Sequence, residues 1–155
     1  MEPLDSQSQN LAATSERSDL AAGLARGVGR MLGHHGFVWM TEFTLRSGRR
    51  VDVIGLDGKG RIVVVEVKSS IEDFRSDQKW PEYLDFCDSF YFAVAENFPT
   101  EILPADVGLI VADSFSAAIL RDAPPLTLNA SRRKALTLQF AQVAARRLTA
   151  FTDPK

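Results

Sequence analysis

The sequence has little cysteine, little histidine and no long apolar stretch. One thiol, Cys87, cannot close an internal disulfide. That excludes a disulfide scaffold and makes a reducing cytoplasm the expected location, with Cys87 a buried core residue. The two histidines, His34 and His35, are adjacent. Neighbouring side chains do not converge on one ion, so they read as a polar turn rather than metal ligands. Apolar runs such as Ile62 to Val65 fall far short of the roughly 20 residues a membrane helix needs. The opening MEPLDSQSQN lacks the basic and apolar regions of a secretory leader. No glycine-rich stretch has phosphate-loop spacing, because Gly27-Val28-Gly29 is too short and lies inside a helical pattern. An excess of positive charge is missing too. Eighteen basic residues face 20 acidic ones, for a net charge of −2, which counts against a simple basic nucleic-acid binder.

What remains is an ordinary globular composition, 45% hydrophobic and 25% charged over 155 residues, the size of one domain with one sizeable core. Residues 1–18 are polar and aperiodic and read as a disordered tail. Ser18 then caps a helix over about 19–33, with Leu20, Leu24, Val28, Met31 and Leu32 at helical spacing. Phe37 to Leu45 and Val51 to Leu56 read as strands. Asp57-Gly58-Lys59-Gly60 is a hairpin turn, and Arg61 to Lys68 a third strand. A polar stretch over 69–77 precedes a helix over 78–87, with Pro81 in its first turn. Strands follow at 89–95 and 107–112, separated by a loop with at most one helical turn, and a short one at 117–120. Ser131 opens a last helix to about Leu148, with Leu136, Phe140, Val143 and Ala144 on one face. The domain spans 19–150, with a short tail at 151–155. The order is α-βββ-α-β, then further strand and helix. This predicts an α/β class with a central mixed sheet flanked by helices.

The third strand carries the chemistry. Alternation puts Ile62, Val64, Glu66 and Lys68 on one face, and Val63, Val65 and Val67 on the other. A strand apolar on both faces is central, yet it ends in a carboxylate and an ammonium. Buried charges there must be paired or must bind something. In the preceding strand the same rule groups Arg50, Asp52, Ile54 and Leu56 against Val51 and Val53. The hairpin decides whether the polar sets meet. A three-residue loop, with Gly60 at positive φ, pairs Asp57 with Arg61 and places Asp52 opposite Glu66 and Arg50 opposite Lys68. A two-residue loop puts the carboxylates on opposite faces. Two carboxylates at cross-strand distance repel unless a hard cation such as Mg²⁺ joins them, or unless Arg50 or Lys68 pairs with them in a purely structural cluster.

Asp52, a hairpin, then Glu66-Val67-Lys68 resembles the core of PD-(D/E)XK nucleases, whose fold has the same α-βββ-α-β order. The string Glu66 to Ser70 is similar to segments of Holliday-junction-resolving members. Val51 replaces the usual proline. A wider resemblance covers about residues 20–150. GRRVDVIGL, VVEVKSSIEDFRSDQKWPEYLDFCDSFYFAV and GLIVADSFSAAILRDAP look like the MmcB-type DNA-repair family, which shares that fold. The resemblance implies metal-dependent hydrolysis of phosphodiesters in branched, damaged or single-stranded DNA. Asp52 and Glu66 would ligate Mg²⁺ or Mn²⁺ with the Val67 carbonyl, Lys68 would position water, and Glu42 matches an upstream acidic residue. Lys79, Trp80 and Tyr83 would line a nucleic-acid track, Lys79 on phosphate and the rings on bases, where the competing reading packs the aromatics on the sheet. Asp73, Asp77 and Asp113 read as turn and cap residues, and Trp39 as core.

Charge is uneven. Arg121 to Lys155 holds seven basic residues against two acidic ones. Arg132, Arg133 and Lys134 open the last helix, where they oppose its dipole. A phosphate contact by Arg132 and Arg133 explains this, and so does a solvated helix end. DNA is the expected partner, with no membrane. Repair proteins are the partners under an alternative reading, a non-catalytic binding module of nuclease fold. No residue pattern identifies a homodimer surface.

Overall fold

Every residue of the strand Ile62–Val67 is buried, as its unbroken apolar run requires. The computed structural model describes residues 6–155 and sets this strand, β3, inside a six-stranded sheet. The strands are β1 (Phe37–Thr44), β2 (Arg50–Asp57), β3, β4 (Ser89–Val94), β5 (Gly108–Ala112) and β6 (Ala117–Arg121), and they lie side by side in chain order. β3, β4 and β5 run parallel, and the other neighbours are antiparallel. Helices α1 (Ser6–His34), α2 (Ile71–Ser76) and α3 (Ala130–Thr152) are joined by 3-10 turns at Trp80–Phe86 and Thr100–Ile102. The α-βββ-α-β order and the mixed sheet flanked by helices are as expected.

Each face of the sheet has its own core. On one, α1 seats Leu24, Val28, Met31 and Leu32 on Val53, Val63, Val65 and Ile110. Those helical positions repeat at one-turn intervals, so a single stripe is buried. α1 lies so close that a Cβ at Gly27 would strike the carbonyl of Asp113, and one at Gly29 the ring of Trp39. On the other face, Leu136 and Phe140 of α3 join Tyr83 over Phe43, Ile54, Val64, Phe90 and Phe92. Cys87 is buried here. No helix among the described residues is long and apolar enough to cross a membrane.

Several boundaries differ from expectation. Helix α1 starts at Ser6 rather than after Ser18. No glycine or proline interrupts residues 6–22, so helix propagates outward from the packed half, one hydrogen bond per added residue. The rest of the expected tail, residues 1–5, lies outside the described residues. The helix expected at 78–87 divides. The Ser70 hydroxyl accepts from Asp73 N and the Asp73 carboxylate from Ser69 N, which starts α2 earlier, within the stretch read as polar loop. The Asp77 carboxylate then takes the amides of Lys79 and Trp80, and with Pro81 next the chain tightens into a 3-10 turn. Asn129, not Ser131, caps α3 by accepting from the amides of Ser131 and Arg132, and α3 runs on through Thr152 into the expected tail.

Arg133, expected to meet phosphate, is a fold residue. Its guanidinium donates to both oxygens of Asp88 at 2.6 and 2.7 Å and to the Gly60 carbonyl at 2.8 Å. Asp88 also accepts from Ile62 N at 2.8 Å. Together they fasten α3 to the start of β3. The Arg133 hydrogen bonds hold the Asp88 carboxyl below its ordinary range. Asp88→Asn should therefore cost about 1–3 kcal/mol at pH 7. A lowered folded-state pKa contributes stability above the unfolded value that is lost as pH falls through the folded one. Urea unfolding should show the gap between wild type and variant shrinking from pH 7 to pH 3.

Candidate active site

The β2–β3 hairpin has the three-residue loop. Asp57 N donates to the Arg61 carbonyl at 3.1 Å, and Gly60 sits at φ +81. The ladder runs from Leu56 opposite Ile62 to Val53 opposite Val65. One step further the backbone pairing stops and two carboxylates take it over. Asp52 N donates to Glu66 Oε1 at 3.0 Å, and Val67 N donates to Asp52 Oδ2 at 2.8 Å. Each acid accepts the facing strand's amide, so the strands fork with both carboxylates between them. The fork breaks the expected alternation in β2. Val53 faces α1, but Val51 turns to the α3 side.

Glu66 and Lys68 are the buried charged residues among those described, each 5% exposed. Burial raises the pKa of Glu66, and the charge of Asp52 raises it further. Burial also raises Asp52. The Val67 amide and the Lys68 charge pull it down without cancelling the rise. Lys68 is tied elsewhere, its Nζ donating to Asp77 Oδ2 at 2.7 Å. Burial works to raise Asp77, but the Lys68 hydrogen bond and the Lys79 and Trp80 amides outweigh it, and its carboxyl lies below the ordinary range. Among the described residues no ion pair joins Asp52 or Glu66 to Arg50 or Lys68.

A groove of about 450 Å³ opens beside the fork. Asp52, Glu42 and Val67 line it, with Arg26 and Arg50 as its cations. Its α1 wall is Ser18, Ala21, Ala22 and Ala25. These fall on one helical face, and their small side chains leave the space open. Glu66 and Lys68 stand behind Asp52 and do not line the groove. Glu42 has φ +51, and no other non-glycine among the described residues has positive φ. Arg147 of α3 donates to the Thr41 and Glu42 carbonyls at 2.7 and 2.8 Å, which holds the kink. Arg26, Arg147 and the Lys68–Asp77 pair escaped the sequence reading. Of these only Asp77 had a local signal, its place at the turn before Lys79. Among the described residues no three of Asp, Glu, His or Cys group to hold an ion.

The expected nucleic-acid track is corrected in part. Trp80 stacks on Phe90 and meets Phe92 edge-on, at ring distances of 5.7 and 5.2 Å. Tyr83 is buried beside Phe90, with its hydroxyl 3.4 Å from the Arg50 carbonyl. Both rings pack on the sheet, because β4 offers Phe90 and Phe92 on that face; Tyr83 is buried there and Trp80 half-buried. Lys79 is exposed. Arg132 is exposed, with its guanidinium over the Phe86 ring. Asp113 makes its expected turn by accepting from the Phe115 and Ser116 amides.

The described residues form a mixed six-stranded sheet with an α-βββ-α-β core, flanked by helices. The chain belongs to the MmcB-like DNA repair protein family, whose model matches residues 8–155. It is 53% identical to a protein of unknown function from Silicibacter pomeroyi, with TM-score 0.81 over 84% of this chain and 90% of that one. A repair endonuclease from Pyrococcus abyssi is 20% identical, with TM-score 0.31 over 61% of this chain and 39% of that one. No curated protein matches.

The fork predicts an effect on stability. A carboxyl whose folded pKa is raised contributes stability below its unfolded value that is lost as pH rises through the folded one. Glu66→Gln keeps the acceptor for Asp52 N and removes the buried charge. In metal-free buffer at pH 8 the variant should melt higher than wild type, by a few degrees for about 1 kcal/mol. At pH 4 differential scanning calorimetry should find the two nearly equal.

Proposed function

We propose that this protein is a metal-dependent nuclease acting in DNA repair. The observation that carries the reading is the carboxylate pair at the β2–β3 fork, buried, mutually repelling and open to solvent through Asp52. A pair with raised pKa values needs a positive partner to ionise fully at neutral pH. Mg²⁺ or Mn²⁺ fits this donor set, since such ions take one or two carboxylates and fill the remaining positions with water and phosphate oxygens. Asp52 and Glu66 would hold the ion, with the Val67 carbonyl. When bound, it supplies Lewis-acid activation of a phosphodiester and lowers the pKa of water.

The chain's own residues do the rest. Arg26 and Arg50 offer phosphate contacts along the groove, and Lys79 a further one near Lys68. Lys68, held by Asp77 behind the pair, supplies a fixed positive charge that favours the growing negative charge on the phosphoryl group. Glu42 faces the same groove as an added acceptor. Branched, damaged or single-stranded DNA are the substrates to try.

A second reading has its own observation. Glu66 and Lys68 lie behind Asp52 rather than on the groove wall, which suits a non-catalytic module that binds DNA or repair proteins. Cleavage assays decide between the two. With Mg²⁺ or Mn²⁺ the wild type should cut at least one of these substrates, and Asp52→Asn or Glu66→Gln should lower the rate at least about 100-fold. Wild type that cuts none of them, and Asp52→Asn that leaves repair complementation intact, would favour the module. Metal binding also has a sign. Because both carboxyls must lose their protons, calorimetric Mn²⁺ affinity should rise from pH 6 to pH 8, with proton release, and vanish in Asp52→Asn.

A further inference from the structure

The outward face of α3 is uncharged over most of its length. Leu136, Phe140 and Val143 pack on the core, and Arg147 reaches the Thr41 and Glu42 carbonyls of β1. The opposite stripe is Leu138, Ala141, Ala145 and Leu148, all exposed. Leu138 is 56% accessible and Leu148 62%. No charged residue stands between Lys134 and Arg146. The solvent face of a helix packed on a sheet is ordinarily polar or charged. Periodicity in the sequence marks only the buried stripe of α3. The second stripe emerges once the structure shows which residues the sheet covers.

This stripe is a palindrome. Its order, Leu-Ala-Ala-Leu, reads the same from both ends and is centred on position 143. The steps of three, four and three residues keep all four side chains on one side of the helix. A two-fold interface demands such self-complementarity, since residue i must meet j while j meets i. Laid antiparallel on its own copy about position 143, α3 sets Leu138 against Leu148 and Ala141 against Ala145. The alanines fall at the crossing, where small side chains let helix axes approach to about 8 Å.

The charges at the two ends of α3 agree with the same pairing. The helix has no acidic residue in its first turn and no basic residue in its last. Lys134 stands near the positive end of the dipole, and Asp153 caps the negative end. Each is at the wrong end of its own helix. Both are exposed, and among the described residues neither has an ion-pair partner. In the antiparallel pair Lys134 of one copy comes level with Thr152 of the other and beside its Asp153. Each charge then meets an opposite charge and the favourable end of the neighbouring dipole, twice by symmetry.

We propose that α3 is a homodimer interface, packed antiparallel on α3 of a second copy through Leu138, Ala141, Ala145 and Leu148, with Lys134 and Asp153 paired across it. Such a contact buries on the order of 1,000 Å² in total, the low end for a specific interface, so association is reversible and micromolar. It lies on the other face of the sheet from α1. Both Asp52 grooves therefore stay open and point away from each other, and each copy works on its own stretch of substrate. The interface needs neither metal nor DNA, so its test is separate from that of the nuclease reading.

The test is sedimentation velocity of full-length protein in metal-free buffer, from about 1 to about 100 µM. Wild type should pass from monomer to dimer over that range. Leu138→Glu with Leu148→Glu should remain monomeric throughout while melting within a few degrees of wild type, because both positions are exposed. Lys134→Glu alone should weaken the dimer about tenfold, since two attractions become two repulsions. Adding Asp153→Lys to it should restore most of the loss. Leu120→Glu, at an equally exposed leucine on β6, should dimerise as wild type does. The proposal is overturned if wild type stays monomeric at the highest concentration, or if the folded double leucine variant dimerises like wild type. It is also overturned if Asp153→Lys fails to rescue Lys134→Glu, or if Leu120→Glu dissociates the dimer as fully as the leucine pair.

Discussion

Two amides at the open end of the β2–β3 hairpin bond to carboxylates instead of carbonyls, and much of the molecule is arranged around that exchange. Asp52 and Glu66 each satisfy the facing strand's N–H. The strands stay joined although their ladder has ended. Two acids can remain in so enclosed a place because each is anchored by a backbone donor. The same anchoring fixes their separation and aims Asp52 at the groove. A longer ladder would close the fork, and a shorter one would leave buried amides without acceptors.

The surrounding elements keep the fork open on one side and sealed on the other. α1 brings Ser18, three alanines and the Arg26 guanidinium to the groove wall, while further along it packs tightly enough that Gly27 cannot carry a side chain. On the sealed side, Lys68 reaches Asp77, whose other oxygen holds the Lys79 and Trp80 amides. Asp77 thus joins the charge behind the fork to the 3-10 turn that seats Trp80 on Phe90 and buries Tyr83. The net charge of −2 also takes on a different meaning. Two of the 20 acidic residues, Asp52 and Glu66, stand where a cation would neutralise them, and five of the 18 basic residues lie on α3.

The register was legible because one local rule controls it. Gly58-Lys59-Gly60 specifies a loop whose last residue has positive φ, and that choice alone sets Asp52 across from Glu66. The apolar face of α3 and the burial of β3 followed from periodicity in the same way. The parts that were not legible depend on distant contacts. Strict alternation puts Val51 beside Val53, but the fork sends them to opposite cores, and nothing local announces the fork. Trp80 and Tyr83 have the composition of a stacking surface, and it is Phe90 and Phe92 of another strand that draw them inward. Arg133 reads as a phosphate contact until Asp88, far away in sequence, takes it. Arg26 joins the groove only because α1 crosses the strand ends there. α2 was missed for a local reason, since its capping pair, Ser70 and Asp73, stands in a stretch too polar and too short to show periodicity.

The Arg147 clamp has a consequence for the edge of the sheet. β1 pairs on one side only, and an exposed strand edge invites another chain to add to it. The kink at Glu42 interrupts the flat run of β1, and the guanidinium occupies the Thr41 and Glu42 carbonyls there. The same arginine that shapes the groove wall thereby shortens the length of edge open to pairing. β1 can carry exposed Val38, 60% accessible, with less risk of sheet-to-sheet association between copies of the chain.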